Sequence, residues 1–197
     1  MPKTNNNNKP NRRQQILESL AYMLEENKGG RITTAKLAEE VGVSEAALYR
    51  HFPSKAKMFE SLIEFIEESI FSRINIIVNQ SSMDDDRTGQ IINLVITFAS
   101  RNPGISRILT GEALTGEQER LRHRVAQLFN RLEVQIKQVL REKSIASNTE
   151  LDVANVANLI MNVIDGRIQQ FVRSDFKRSP LENWDQQWRL LHQSLMN

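Results

Sequence analysis

Apolar residues recur at helical spacing from Ile16 through Leu17, Leu20, Ala21 and Met23 to Leu24, predicting a helix that begins near Asn11 and is stopped by Gly29-Gly30. Thr33 stands where an N-cap belongs, ahead of a second helix carried by Leu37, Ala38 and Val41. Gly42 suits the left-handed backbone that ends it. Ser44 then caps a third helix, with Glu45 in the first turn where a negative charge is favoured, and that helix stops before Pro53. Ser54 opens a long fourth helix whose broad apolar face holds Met58, Phe59, Leu62, Ile63, Phe65, Ile66, Ile70, Phe71, Ile74 and Ile77 as far as Asp84-Asp85-Asp86. Further helices are predicted over 88–101, 103–111, 116–143, 149–174 and 181–195, bounded by Pro103-Gly104, Gly111, Thr115, Ser147-Asn148-Thr149 and Pro180. No segment alternates in the manner of a half-buried strand. The expected fold is all-α: a low-complexity basic arm over residues 1–10, a three-helix unit over 11–53 and a larger helical bundle over 54–197.

Composition narrows the class. Hydrophobic residues make up 40% and charged residues 25% of the 197-residue chain, as in soluble globular proteins. No apolar run approaches the roughly 20 residues of a membrane span, the start has no apolar signal-peptide core, and the absence of cysteine excludes disulfide and thiolate chemistry. A cytoplasmic protein is expected. The net charge of +2 is uninformative, but residues 1–58 hold ten Lys and Arg against six Glu, with Lys3, Lys9, Arg12 and Arg13 concentrated at the start. Such an arm suits a polyanion, or simply a solvated tail.

The second and third helices carry the sharpest chemistry. Small Ala38 lets two helices cross closely, Gly42 takes the turn between them, and Leu48 plugs the space beneath; this is the division of labour in a helix-turn-helix. It leaves Ser44, Glu45, Ala46, Tyr49, Arg50 and His51 outward, on a helix able to lie in the major groove of double-stranded DNA. An ordinary helical hairpin would share the Ala-Gly-Leu spacing. The flanking residues favour DNA: Tyr49 offers a phosphate its hydroxyl, Thr33 and Thr34 sit at a helix N-terminus that welcomes anions, and Lys55 and Lys57 lie on one side with Lys9, Arg12 and Arg13 on the other.

The run Thr33-Thr34-Ala35-Lys36-Leu37-Ala38 followed by VGVSEAALYRHFPSK (41–55) resembles the DNA-binding module of the tetracycline-repressor (TetR) family. That resemblance implies an N-terminal helix-turn-helix domain joined through a long fourth helix to a helical dimerisation domain, working as a homodimer. Four later stretches, SLIEFIE (61–67), RNPG (101–104), RILTG (107–111) and FVRS (171–174), resemble the nucleoid occlusion factors within that family. These imply a nucleoid-associated division inhibitor that binds palindromic sites, with several dimers accommodated on one DNA, and holds the C-terminal tail of the tubulin-like division GTPase FtsZ between the fourth and fifth helices. The matching positions are Phe65, Arg73, Leu94, Thr97, Arg101 and Asn102, with Thr97 standing where a relative carries glycine. From periodicity alone, Phe65 and Leu94 fit a core equally well, whereas an apolar groove edged by Arg73 and Arg101 suits a short amphipathic segment with acidic groups.

The remaining signals place no catalytic chemistry. His51, His123 and His192 lack metal-ligand spacing, Asp84-Asp85-Asp86 reads as a solvated helix cap, and neither a glycine-rich phosphate loop nor a Gly-x-Ser-x-Gly elbow is present. No enzyme activity, metal or cofactor is expected. Trp184, Trp188 and Leu191 form a stripe that fits either the core or, with Phe171, a dimer interface. The alternative function is a repressor released from DNA by a small effector in the bundle; the match of the later stretches favours the division inhibitor.

Overall fold

The computed structural model describes residues 11–26, 30–80, 86–148 and 150–196. Lys9 and the rest of the expected arm, with Asp84 and Asp85, lie outside the described residues. The helices are α1 (Arg12–Glu26), α2 (Thr34–Val41), α3 (Glu45–His51), α4 (Lys55–Gln80), α5 (Arg87–Arg101), α6 (Pro103–Leu109), α7 (Glu119–Ser147), α8 (Val153–Arg173) and α9 (Trp184–Met196), with a 3-10 turn at Glu112–Leu114. The described residues contain no strand.

Capping explains the short helices. Thr33 accepts the Lys36 amide at 3.3 Å and Ser44 the Ala47 amide at 3.2 Å, each satisfying a donor that a helix start leaves unpaired. Gly42 takes φ +71° and donates to the Glu39 carbonyl at 3.0 Å, so the chain leaves α2 and re-enters α3 within three residues. Leu48 is wholly buried, with Ala38 buried beside it.

Three helix starts fall later than the periodic pattern placed them, while α6 stops at Leu109 rather than 111 and α7 runs on to Ser147 rather than 143. The expected helix at 116 begins instead at Glu119, because Gly111 and Gly116 both take positive φ and spend the intervening residues on a 3-10 turn. α8 starts at Val153, where Asp152 accepts the Asn155 amide at 3.2 Å. α9 starts at Trp184, after left-handed Asn183.

Buried side chains form one cluster from Ile16 in α1 to Trp188 in α9, crossing the expected boundary at 53/54 through Ala56, Met58 and Phe59. α6 fastens the bundle to α1 by backbone contact: a Cβ on Gly104 would fall 2.0 Å from the Ala21 carbonyl oxygen. Arg107, buried on α6, pairs with Glu112 and, at 3.1 Å, with Asp175, while its guanidinium lies 4.8 Å from the Phe176 ring centre.

Ion pairs clasp α4 to α7. Arg120 meets Glu60 at 3.0 Å, and Arg124 spans Glu64 and Glu67 at 3.2 and 3.0 Å. The Lys57 hydrogen bond, helped by Arg120 and Arg124, holds the Glu60 carboxyl below its usual 4.5 against the opposing effect of burial. A depressed carboxyl stabilises the fold above its unfolded pKa and loses that contribution as pH falls through the folded value. Glu60→Gln is therefore expected to melt below wild type near neutrality, with the gap closing as melts are repeated below pH 4.5. A gap that persists undiminished to about pH 3 would show that the carboxylate charge is not what the clasp uses.

Candidate functional site

The first candidate face is built by α1, α2 and α3. Glu45, Ala46, Tyr49, Arg50 and His51 are exposed together on α3, beside Ser44, whose hydroxyl is committed to capping. The start of α2 joins them: the Thr34 hydroxyl donates to Glu45 Oε2 at 2.7 Å and accepts from the Tyr49 hydroxyl at 3.4 Å. Arg12 is exposed at the start of α1. Arg13 serves a structural role beside the face, bonding the His51 carbonyl at 3.4 Å and the Ser61 hydroxyl at 3.1 Å above the Phe52 ring. It thereby ties α1 to the end of α3 and to α4.

Lys55 departs from the expected arrangement. Its ammonium is half-buried and paired with Glu117, so it is spent on holding α4 to the segment before α7 rather than presented outward. A carboxylate that arrives from 62 residues away captures it. Lys57 stays half exposed and pairs with Glu60 at 2.6 Å.

The second candidate face lies along α4 and α5. Phe65 is 47% exposed, although periodicity allowed it a place in the core. Its ring centre lies 6.3 Å from that of half-buried Phe98 on α5, and Leu94 and Thr97 lie half-buried on the same α5 edge. Arg73 and Arg101 are exposed, and neither pairs with a carboxylate among the described residues; Arg73 donates only to its own helix, to the Ser69 carbonyl at 2.9 Å. Asn102 closes the end of α5, its amide bound to the Phe98 carbonyl at 2.7 Å. The six expected positions thus lie on α4, on α5 and at the end of α5, two helices that pack against each other.

Two members of this face were missed in the sequence. Phe98 is the ring against which Phe65 rests, and Ile76, 52% exposed, stands eleven residues beyond Phe65. Eleven residues is about three helical turns, so Ile76 shares the Phe65 stripe about 16 Å further on. That spacing was the available signal. The result is an apolar strip with a cation toward each end, a surface complementary to an extended peptide bearing apolar and acidic side chains.

The aromatic stripe of α9 requires a correction. Trp184, Trp188 and Phe171 are buried within their own chain and are not available as direct interface contacts; Leu191 is half-buried against the same core. Trp184 stacks on Trp188 at 5.6 Å, and the Trp188 indole N–H donates to the Asp86 carboxylate. Gly89 makes room, since a Cβ there would fall 2.3 Å from the indole nitrogen. What α8 and α9 leave outward is Leu159, 42% exposed, and Leu190, 65% exposed.

The chain has known relatives. Residues 20–62 match the family model of bacterial regulatory proteins of the tetR family, and residues 84–196 match that of the tetracyclin repressor-like, SlmA-like C-terminal domain. The nucleoid occlusion factor SlmA of Shewanella pealeana is 58% identical over 190 residues, covering 95% of this chain and 96% of that protein. SlmA of Shewanella amazonensis is 56% identical over the same shares. Among solved structures, a TetR transcription regulator from Haloarcula marismortui superposes with a TM-score of 0.76 at 19% identity, covering 93% of this chain and 97% of that one. The regulator FadR of Bacillus subtilis, solved with stearoyl-CoA, gives 0.70 at 18% identity over 90% and 96%. At such identities the structures speak for the fold alone, whereas relatives above half identity over nearly the whole length speak for the family. The chain belongs to the tetracycline-repressor family, in its SlmA group of nucleoid occlusion factors.

Proposed function

We propose that this protein is a DNA-bound nucleoid occlusion factor. It reads palindromic chromosomal sites through α3 and holds the C-terminal tail of the division GTPase FtsZ along the α4–α5 face, so that division polymers are antagonised where DNA lies. The carrying observation is the exposure of Phe65 on a helix whose other large apolar groups are mostly buried, with Arg73 and Arg101 exposed on the same two helices and pairing with no carboxylate among the described residues. Leaving Phe65 47% exposed forfeits roughly half of the about 1.5–3 kcal/mol that full burial of such a side chain provides, and an occupant of that strip recovers it. The name carried by the Shewanella relatives supports the same reading over that of an effector-released repressor. A labelled FtsZ tail peptide titrated with the purified protein is expected to bind saturably. No binding, with or without chromosomal DNA fragments, would overturn the tail reading while leaving DNA recognition standing.

A palindrome calls for a two-fold dimer, with reading helices about 34–36 Å apart. The surface suited to that dimer is the outward side of α8 and α9, through Leu159 and Leu190, with half-buried Val163 and Leu195 behind them. The double variant Leu159→Glu/Leu190→Glu is expected to sediment as a folded monomer, because four carboxylates per dimer would need to be desolvated. A dimer unaffected by both changes would place the interface elsewhere.

A further inference from the structure

The outward face of α3 carries one carboxylate, Glu45, among Ala46, Tyr49 and Arg50. A negative charge set toward DNA opposes binding to every sequence unless it meets a donor on a base edge. Position in the first turn of α3 explains why an acid is tolerated by the helix, but not where its carboxylate is directed. Thr34 supplies the direction. Its hydroxyl donates to Glu45 Oε2 at 2.7 Å while accepting from Tyr49 at 3.4 Å, and Glu45 Oε1 has no hydrogen-bond partner among the described residues. The carboxylate is thus tethered by one oxygen to the start of α2, and its other oxygen remains an acceptor.

We propose that Glu45 is a specificity-determining residue that selects cytosine in each half-site, with Thr34 as the positioning residue that aims it; this rests on the DNA-binding reading above. In the major groove, cytosine offers its N4 amino group with no acceptor beside it. Adenine offers N6 next to the N7 acceptor, which repels a carboxylate, while guanine N7 and O6 and thymine O4 are acceptors throughout. A carboxylate oxygen fixed at the groove therefore favours one base of the four.

The test is selection from a randomised duplex pool by the full-length protein, followed by sequencing of the bound DNA. Wild type is expected to enrich a motif with one position per half-site at which cytosine is preferred about 10-fold or more. Glu45→Ala should flatten that position alone and raise binding to non-specific DNA. Glu45→Gln should move the preference toward adenine, whose N6 and N7 a carboxamide pairs with together. Thr34→Val should broaden the same position, and Thr34→Ser, which keeps the hydroxyl, should restore it; a variant that merely loosened the fold would weaken every position alike. A motif that Glu45→Ala leaves unchanged at every position overturns the proposal alone. A wild-type protein that enriches no sequence overturns the DNA-binding reading and the proposal with it.

Discussion

Gly104→Ala is expected to cost about 3 kcal/mol, because overpacking a closed contact has no cheap relief. The new methyl would sit 2.0 Å from the Ala21 carbonyl oxygen and 2.9 Å from the Glu25 amide nitrogen, both backbone atoms of α1. No side-chain rotation removes that clash, so α1 must withdraw from α6. In a chain of this size the loss should appear as a fall in melting temperature of roughly 6–12 °C. Gly166→Ala provides the control: its methyl would meet nothing within 4 Å in the protomer. Alanine's better helix propensity should leave that variant neutral or more stable by up to about 1 kcal/mol. Equal melting of Gly104→Ala and wild type would show that α1 and α6 do not meet as tightly as described. The position also matters for function, since α1 packs beneath the reading helix and α6 belongs to the bundle.

Phe65→Ala should weaken the tail peptide by about 30-fold, the effect of truncating a centrally placed aromatic anchor worth about 2 kcal/mol. DNA affinity should stay within about 2-fold, because Phe65 lies outside the face made by α2 and α3. Ile76→Ala should weaken the tail by a smaller factor in the same direction, since Ile76 continues the strip away from the Phe65–Phe98 contact. Titration of labelled tail against each variant, alongside titration of labelled duplex, measures both affinities. If Phe65→Ala leaves the tail affinity intact, the exposed ring has another purpose and the α4–α5 face is not the peptide site.

The local signals in the sequence were strong where a single side chain decides the backbone. Thr33, Gly42 and Ser44 announce the two short helices because capping is local, and the structure places each of them in that role. Signals weakened where partners come from far along the chain. Phe65 and Ile66 are adjacent and both apolar, and only the packing of α5 and α7 decides that Ile66 goes inside and Phe65 stays out. Trp188 could not be assigned from its own helix, because its burial depends on Gly89 and Asp86, about a hundred residues earlier. Lys55 shows the same limit with charge: a basic residue after a reading helix suggests phosphate, and Glu117 removes it from that role. The outward Leu159 and Leu190 were hidden for a related reason, since an apolar stripe on a helix does not disclose which of its members a neighbouring helix will cover.

The separation of the two faces has a direct consequence: the protein should hold DNA and tail at once. The decisive measurement is binding of the FtsZ tail peptide to protein already captured on an immobilised duplex carrying its site. Tail should add to the DNA-bound protein without releasing it, Tyr49→Ala should lower the amount of protein captured but not the tail bound per protein, and Arg73→Asp or Arg101→Asp should do the reverse. Release of the protein from DNA as tail is added, or failure of the tail to bind the captured protein at any concentration that saturates it in solution, would contradict a chromosome-bound division inhibitor with two independent sites.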